Sequence, residues 1–197
     1  MNLLKEILLI HFLLIGCISL PPSATLLDPV KQQNTIPEKV VIEKTNIPEL
    51  SDRYRKATED NLTMNWKDFL VKGNYFEKSI LFTDKPEDWT NYKNIQLHFS
   101  KFSQERTIDP WYFPLALVTL TIYIWIGGGV SIDTGIYNAS LLVKDEKGKV
   151  IYQVSKEKME ERSINIYNRY SMTSFAEVKT KLITELLEDY QLQKKGK

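Results

Sequence analysis

Hydrophobic residues within positions 49–72 recur at intervals of three and four, and charged residues lie between them. This spacing places the apolar side chains on one face and predicts an amphipathic helix that stops at Gly73. A second apolar stripe occupies residues 175–190. It is preceded by Ser174, which with Glu177 has the spacing of a capping box, so a carboxyl-terminal helix is predicted there.

Four stretches between these helices have the alternating or β-branched pattern of strands. They cover residues 75–82, 94–102, 136–144 and 150–155. A glycine-containing charged loop joins the last two and predicts a β-hairpin. A shorter β-branched run at residues 39–43 is either the first strand or part of a linker. The pattern predicts an α+β fold, a two-layer domain with a mostly antiparallel sheet covered by an amino-terminal and a carboxyl-terminal amphipathic helix. The predicted single domain spans residues 39–192.

One part of that domain, residues 110–132, contains no charged residue. We call it the uncharged segment. Its alternating aliphatic, threonine and aromatic residues favour a core strand, while its tyrosines and tryptophans favour a segment that dips into lipid. A transmembrane helix is a third alternative, although the apolar run is shorter than the roughly 20 residues that a span requires. The side chains expected to contact a membrane or a partner are Trp111, Tyr112, Leu117, Leu120, Ile122, Tyr123, Ile124 and Trp125.

The first 16 residues form an apolar run with one lysine near its start, which is also too short to cross a bilayer. That length suits the hydrophobic core of a signal peptide. The run ends in Leu14-Ile15-Gly16-Cys17, and this tetrapeptide resembles the lipobox of bacterial lipoproteins. The resemblance implies cleavage after Gly16 and acylation of Cys17, which would anchor the chain in membrane lipid. A conventional signal peptide or an ordinary buried cysteine is the alternative.

Residues 17–38 contain several prolines and no aromatic residue, which predicts a lipidated flexible tether. Residues 193–197 form a short basic tail. Ile18 follows the cysteine, whereas enteric lipoproteins kept in the inner membrane carry Asp at this position. We therefore expect the chain at the outer membrane, on its periplasmic face or at the cell surface.

Composition excludes several classes of function. The chain has 26 basic and 25 acidic residues, which excludes the strong phosphate attraction of a nucleic-acid-binding protein. The single cysteine excludes an internal disulfide and a multi-cysteine zinc site. No metal, phosphate-loop or nucleophile motif occurs in the sequence, so no cofactor and no catalytic residue is predicted.

Residues 69–76, and the stretch from Pro114 through the hairpin to Asn168, resemble passages of small uncharacterised outer-membrane lipoproteins. The layout is also similar to lipoproteins that assist envelope assembly. These resemblances imply a non-enzymatic protein that binds an unidentified envelope protein or lipid. The alternative is a lipid- or cell-wall-directed hydrolase, which would require His98 or a carboxylate pair to lie in a cleft.

Overall fold

The computed structural model describes residues 18–84, 90–119, 122–165, 167 and 175–195. In chain order its strands are β1 (Ile18–Ser19), β2 (Ile36–Ile42), β3 (Phe76–Leu81), β4 (Tyr92–Ile108), β5 (Ser131–Lys144) and β6 (Val150–Ile164). Its α-helices are α1 (Asp52–Lys72), α2 (Tyr112–Val118), α3 (Ile122–Trp125) and α4 (Ala176–Lys195), and a short 3-10 helix occupies Phe82–Asp84.

The strands form one mixed sheet in the order β3-β2-β4-β5-β6, with β1 paired to β4. Strand β2 is parallel to both β3 and β4. The parallel pairing of β2 with β3 follows from the connection, because α1 crosses over between them. The five-residue turn between β5 and β6 requires an antiparallel pair. The predicted α+β class is confirmed, with α1 and α4 packing on the sheet.

The chain divides into two compact units. Unit 1 comprises residues 1–21, 103–135 and 160–171, and unit 2 comprises residues 22–102, 136–159 and 172–197. The interval predicted as a single domain, residues 39–192, is therefore shared between two units. The division arises because residues of the uncharged segment and its flanking strand ends contact mainly one another.

The hydrophobic core lies in unit 2, where the two predicted amphipathic helices bury their apolar faces. Trp66 of α1 is fully buried and stacks on Phe69, with ring centroids 6.1 Å apart. Leu182 and Leu186 of α4 are buried on the same core. Burial of each such side chain contributes about 1.5–3 kcal/mol to the stability of the fold. The helices therefore take their stability from packing on the sheet. Ser174 of the predicted capping box lies outside the described residues.

Residues 22–32 fall in the predicted flexible tether, yet they belong to unit 2 and contact its helices. Leu26 packs against the core, and the Leu27 amide donates to Thr180 Oγ1 at 2.8 Å. The Lys72 ammonium lies 2.6 Å from the Asp28 carboxylate. The composition of this segment indicated little burial, but Ala24 and Leu26 pack against the core. Its path along α1 and α4 thus differs from that of a linker that makes no contact.

The end of α4 also contacts the start of the domain. The carboxylate of Glu38 accepts hydrogen bonds from Tyr190 Oη at 2.6 Å and from Lys194 at 2.7 Å. Burial raises the pKa of Glu38, but its hydrogen bonds to Lys194, Lys93 and Tyr190 outweigh burial and hold that pKa below its usual value. Lys194 was assigned from the sequence to the basic tail, whereas the helix continues to Lys195 and places this ammonium in an ion pair.

Candidate functional site

The uncharged segment forms two short helices, α2 and α3, so the prediction of a core strand is wrong. Backbone bonds of the helical type connect the Leu115 amide to the Trp111 carbonyl at 3.1 Å and the Ile126 amide to the Ile122 carbonyl at 3.0 Å. Thr119 lies near the junction of the helices: its hydroxyl donates to the Leu115 carbonyl at 2.7 Å and accepts from the Tyr123 amide at 3.0 Å. These hydrogen bonds within the segment take the place of the hydrogen bonds between strands that its β-branched residues had predicted.

The structure also tests the transmembrane alternative. Helix α2 has 7 residues and α3 has 4. Among the residues that the structure describes, no helix is both long enough and apolar enough to cross a membrane.

Four of the eight side chains predicted to make contact are exposed to solvent. Trp111, Leu117, Ile122 and Trp125 are 66%, 78%, 59% and 69% exposed. Tyr112, Tyr123 and Ile124 are half-buried, and Leu120 lies outside the described residues. Three further exposed apolar residues in the same segment were not predicted as contacts: Leu115, Val118 and Ile126. Seven large apolar side chains are thus exposed within residues 111–126, and exposed apolar side chains concentrated in this way are typical of interaction sites.

The buried side chains of unit 1, unlike the exposed ones of α2 and α3, are polar. Among the described residues, Gln104, Ser131 and Asp133 are 4%, 8% and 1% exposed. Arg106 forms a two-pronged salt bridge with Asp133, with nitrogen to oxygen distances of 2.6 and 2.8 Å. None of the buried hydrophobic side chains of the core belongs to the described part of unit 1. Unit 1 therefore buries polar side chains and exposes the apolar side chains of α2 and α3.

Three consecutive glycines close the uncharged segment, and two of them have a clear geometric role. Gly127 has φ +90°, which L side chains rarely adopt. A Cβ atom on Gly128 would lie 2.4 Å from the ring of Tyr123. The Gly127 carbonyl accepts from Asn165 Nδ2 at 3.1 Å, and the Tyr167 hydroxyl donates to the Trp125 carbonyl. The turn after α3 is thus held by side chains that follow β6.

Strand β1 connects the predicted lipidation site to this unit. Ile18 pairs with Arg106 and Ser19 pairs with Glu105 in antiparallel register. The Leu20 amide then donates to the Gln104 carbonyl at 2.8 Å. Cys17 and Gly16 lie outside the described residues, so their predicted roles stay predictions. The chain becomes part of the sheet at the residue directly after the cysteine.

Of the residues considered for catalysis, the structure describes His98 and several of the carboxylates. His98 lies in β4, where its backbone bridges to Asn46. Among the described residues, no group of three His, Cys, Asp or Glu side chains could hold a metal ion. The acidic residues that lie close together in sequence and could supply a carboxylate pair are Glu160 with Glu161, Glu188 with Asp189, and Asp84 with Glu87 and Asp88. Glu160 is in an ion pair with Arg162, and Asp189 is in one with Lys156. Glu87 and Asp88 lie outside the described residues.

Sequence reasoning missed Lys179, which lies fully buried in unit 2. Its ammonium donates to the Ser23 carbonyl and lies 5.7 Å from the ring centroids of both Phe102 and Tyr137. Burial lowers the pKa of Lys179 to about 7. The signal was present in the sequence, because Lys179 is four residues after Phe175 and therefore belongs to the apolar stripe of α4.

No protein-family model matches the chain, and no curated protein matches it in sequence. Solved structures that align along most of it include a DUF330 protein from Xanthomonas campestris, with 8% identity, 86% of this chain and 89% of that chain covered, and a TM-score of 0.45. A neuraminyllactose-binding hemagglutinin homologue from Helicobacter pylori has 14% identity, coverage of 86% and 90%, and a TM-score of 0.36. A minor lipoprotein from Acinetobacter baumannii has 12% identity, coverage of 79% and 87%, and a TM-score of 0.33.

Proposed function

We propose that this chain is a non-enzymatic lipoprotein of the bacterial envelope, cleaved after Gly16, acylated at Cys17 and anchored at the outer membrane. It acts by binding an envelope protein or lipid. The observation that carries the proposal is the composition of unit 1. A unit that buries polar side chains and exposes apolar ones suits contact with another apolar surface. The lipobox-like tetrapeptide directly precedes β1 of that same unit.

The chemistry of the anchor fits a single cysteine. A thiolate is the nucleophile that accepts a diacylglyceryl group, and the small Gly16 leaves room for a peptidase. Two or three acyl chains, at about 0.8 kcal/mol per buried methylene, make attachment stable, whereas one chain is marginal. Cys17 has no other cysteine in the chain with which to form a disulfide.

Acylation is tested by growing bacteria that express the full chain with labelled palmitate. The wild-type chain should carry the label, and Cys17→Ser should lose it, because serine keeps the size of the side chain and removes the thiol. Equal amounts of Cys17→Ser protein on an immunoblot control for expression. Label retained on Cys17→Ser, or absent from the wild type, would show that the chain is not acylated at this position.

A further inference from the structure

The geometry points to a second membrane contact: we infer that the uncharged segment lies against the same bilayer that holds the acyl chains of Cys17. The inference rests on the proposed function, because it needs an acylated cysteine. The partner of the exposed apolar side chains of unit 1 is then lipid. The acyl chains and the exposed side chains of α2 and α3 would then form one attachment with two points.

The register of β1 brings the two points together. Because β1 is antiparallel to β4, Ile18 at the amino-terminal end of β1 lies opposite Arg106, close to the end of β4 at Ile108 and to the start of the uncharged segment. Three residues of strand separate Arg106 from Asp109, which is roughly 10 Å. The Cα atom of residue 17 is about 3.8 Å from that of Ile18. Ile18, the residue directly after the proposed anchor, and the start of the uncharged segment therefore lie close together in unit 1.

The exposed side chains have the composition of a membrane interface. Trp111 and Trp125 combine an apolar ring with a polar N–H group, and such side chains favour the boundary between hydrocarbon and water. Leu117 and Ile122 add aliphatic surface. The absence of charge across residues 110–132 removes the main energetic cost of entering lipid. Attraction here depends on apolar burial and not on anionic headgroups.

The charged residues that bracket the segment are already engaged. Asp109 accepts a hydrogen bond from the Trp111 amide at 2.9 Å, and its own amide donates to the Val130 carbonyl at 3.1 Å. The Asp133 carboxylate is held by Arg106. The Asp133 carboxylate is therefore paired and buried, and Oδ1 of Asp109 is bonded within the segment itself.

Backbone groups at the turn after α3 are also satisfied. The carbonyls of Trp125 and Gly127 accept hydrogen bonds from the side chains of Tyr167 and Asn165. A helix end normally leaves such carbonyls to water, and lipid provides no donor for them. Because this unit supplies the donors itself, the turn can leave water at low cost. At about 1.5 Å per residue, α3 is roughly 6 Å long, a length suited to lying in the interface and not to spanning it.

A polarity-sensitive fluorophore on Ile122→Cys tests the contact in the full acylated chain, reconstituted into phosphatidylcholine vesicles. We expect a blue-shifted emission and at least two-fold quenching by lipids that carry a nitroxide on the acyl chain. Val71→Cys is the matched control, because Val71 is 55% exposed on α1 and Ile122 is 59% exposed on α3. The control should show neither change. A second fluorophore per chain would reveal an unacylated Cys17, which separates failure of the anchor from failure of the contact.

The energetic contribution is tested by the rate at which the acylated chain moves between vesicles. Ile122→Asp with Ile126→Asp should accelerate this transfer at least ten-fold, because two apolar side chains lose their contact with lipid. Met64→Asp, at a comparably exposed site on α1, should leave the rate unchanged. The wild-type rate should be the same when anionic lipid or salt is added. Unquenched Ile122→Cys together with an unchanged transfer rate, in fully acylated protein, would overturn the inference and leave a protein as the occupant of this surface.

Discussion

Replacing Lys179 with Met is expected to raise the free energy of unfolding by roughly 2–4 kcal/mol at pH 7. The side chain is fully buried, and the partners of its ammonium are the Ser23 carbonyl and two aromatic rings. Burial without a carboxylate partner disfavours the charged form strongly. Methionine keeps the length and apolar stem of the side chain and removes the group that must lose its hydration.

The gain in unfolding free energy from Lys179→Met should become smaller as pH rises above 7. Burial holds the pKa of Lys179 at about 7, below its usual value of 10.5. Between these two pH values the unfolded chain binds more protons than the folded chain, so the stability of the wild type rises with pH. The advantage of the methionine variant should therefore be full below pH 7 and should shrink as pH approaches 10.5.

The measurement is urea unfolding of both proteins at several pH values, with the difference between them as the readout. Lys181→Met is the matched control, because Lys181 is exposed on the same helix. It should change stability by less than about 0.5 kcal/mol at every pH. A Lys179→Met variant that is less stable than the wild type at pH 7, or whose advantage does not change with pH, would contradict this account of the buried amine.

Arg106→Met is expected to destabilise unit 1 by about 3–5 kcal/mol, because it leaves the carboxylate of Asp133 buried without its partner. Asp133 is 1% exposed, and the pair is two-pronged. Arg106 also faces Ile18 across the β1–β4 pairing, so the loss should reach the strand that follows the proposed anchor. Hydrogen exchange at the amides of β4 and β5 measures the effect, as an acceleration of roughly 10²–10⁴-fold.

Two controls define the origin of that effect. The double variant Arg106→Met with Asp133→Leu should recover most of the stability, because no unpaired charge remains in the interior. Lys101→Met removes the exposed ion pair with Glu49 and should change stability by less than about 1 kcal/mol. If Arg106→Met alone exchanges like the wild type, the buried pair does not stabilise unit 1.

Elements with strong periodicity could be predicted from the sequence. The apolar stripes of α1 and α4, and the hairpin between β5 and β6, follow from spacing and turn residues alone. Strand β2 was predicted only as an alternative to a linker, because its apolar run is short. Its parallel pairing with β3 and β4 is a long-range property that no local pattern encodes.

The uncharged segment shows where local pattern fails. Its alternation of β-branched and aromatic residues favours a strand, yet the segment forms helices. Strand propensity expresses fit to a pleated surface, and it has no effect where the chain does not lie beside another strand. The Thr119 hydroxyl bonds instead within its own segment. The sequence also left open whether these apolar residues are buried or exposed, because an apolar run has the same pattern in a core and on a surface.

Residues 22–32 and Lys179 show a related limit. Proline content predicted a tether, but a few well-placed contacts, such as Leu27 with Thr180, hold this stretch to the helices. Lys179 belongs to the apolar stripe of α4, where a lysine ordinarily extends its ammonium to water. Its burial depends on the Ser23 carbonyl, which approaches α4 only in the folded chain.

Cleavage and acylation are tested together by the mass of the amino-terminal peptide of the chain isolated from bacterial membranes. We expect a mature chain that begins at Cys17, with a diacylglyceryl group on its sulfur. A peptide that still joins Gly16 to Cys17 and carries an unmodified thiol would contradict it.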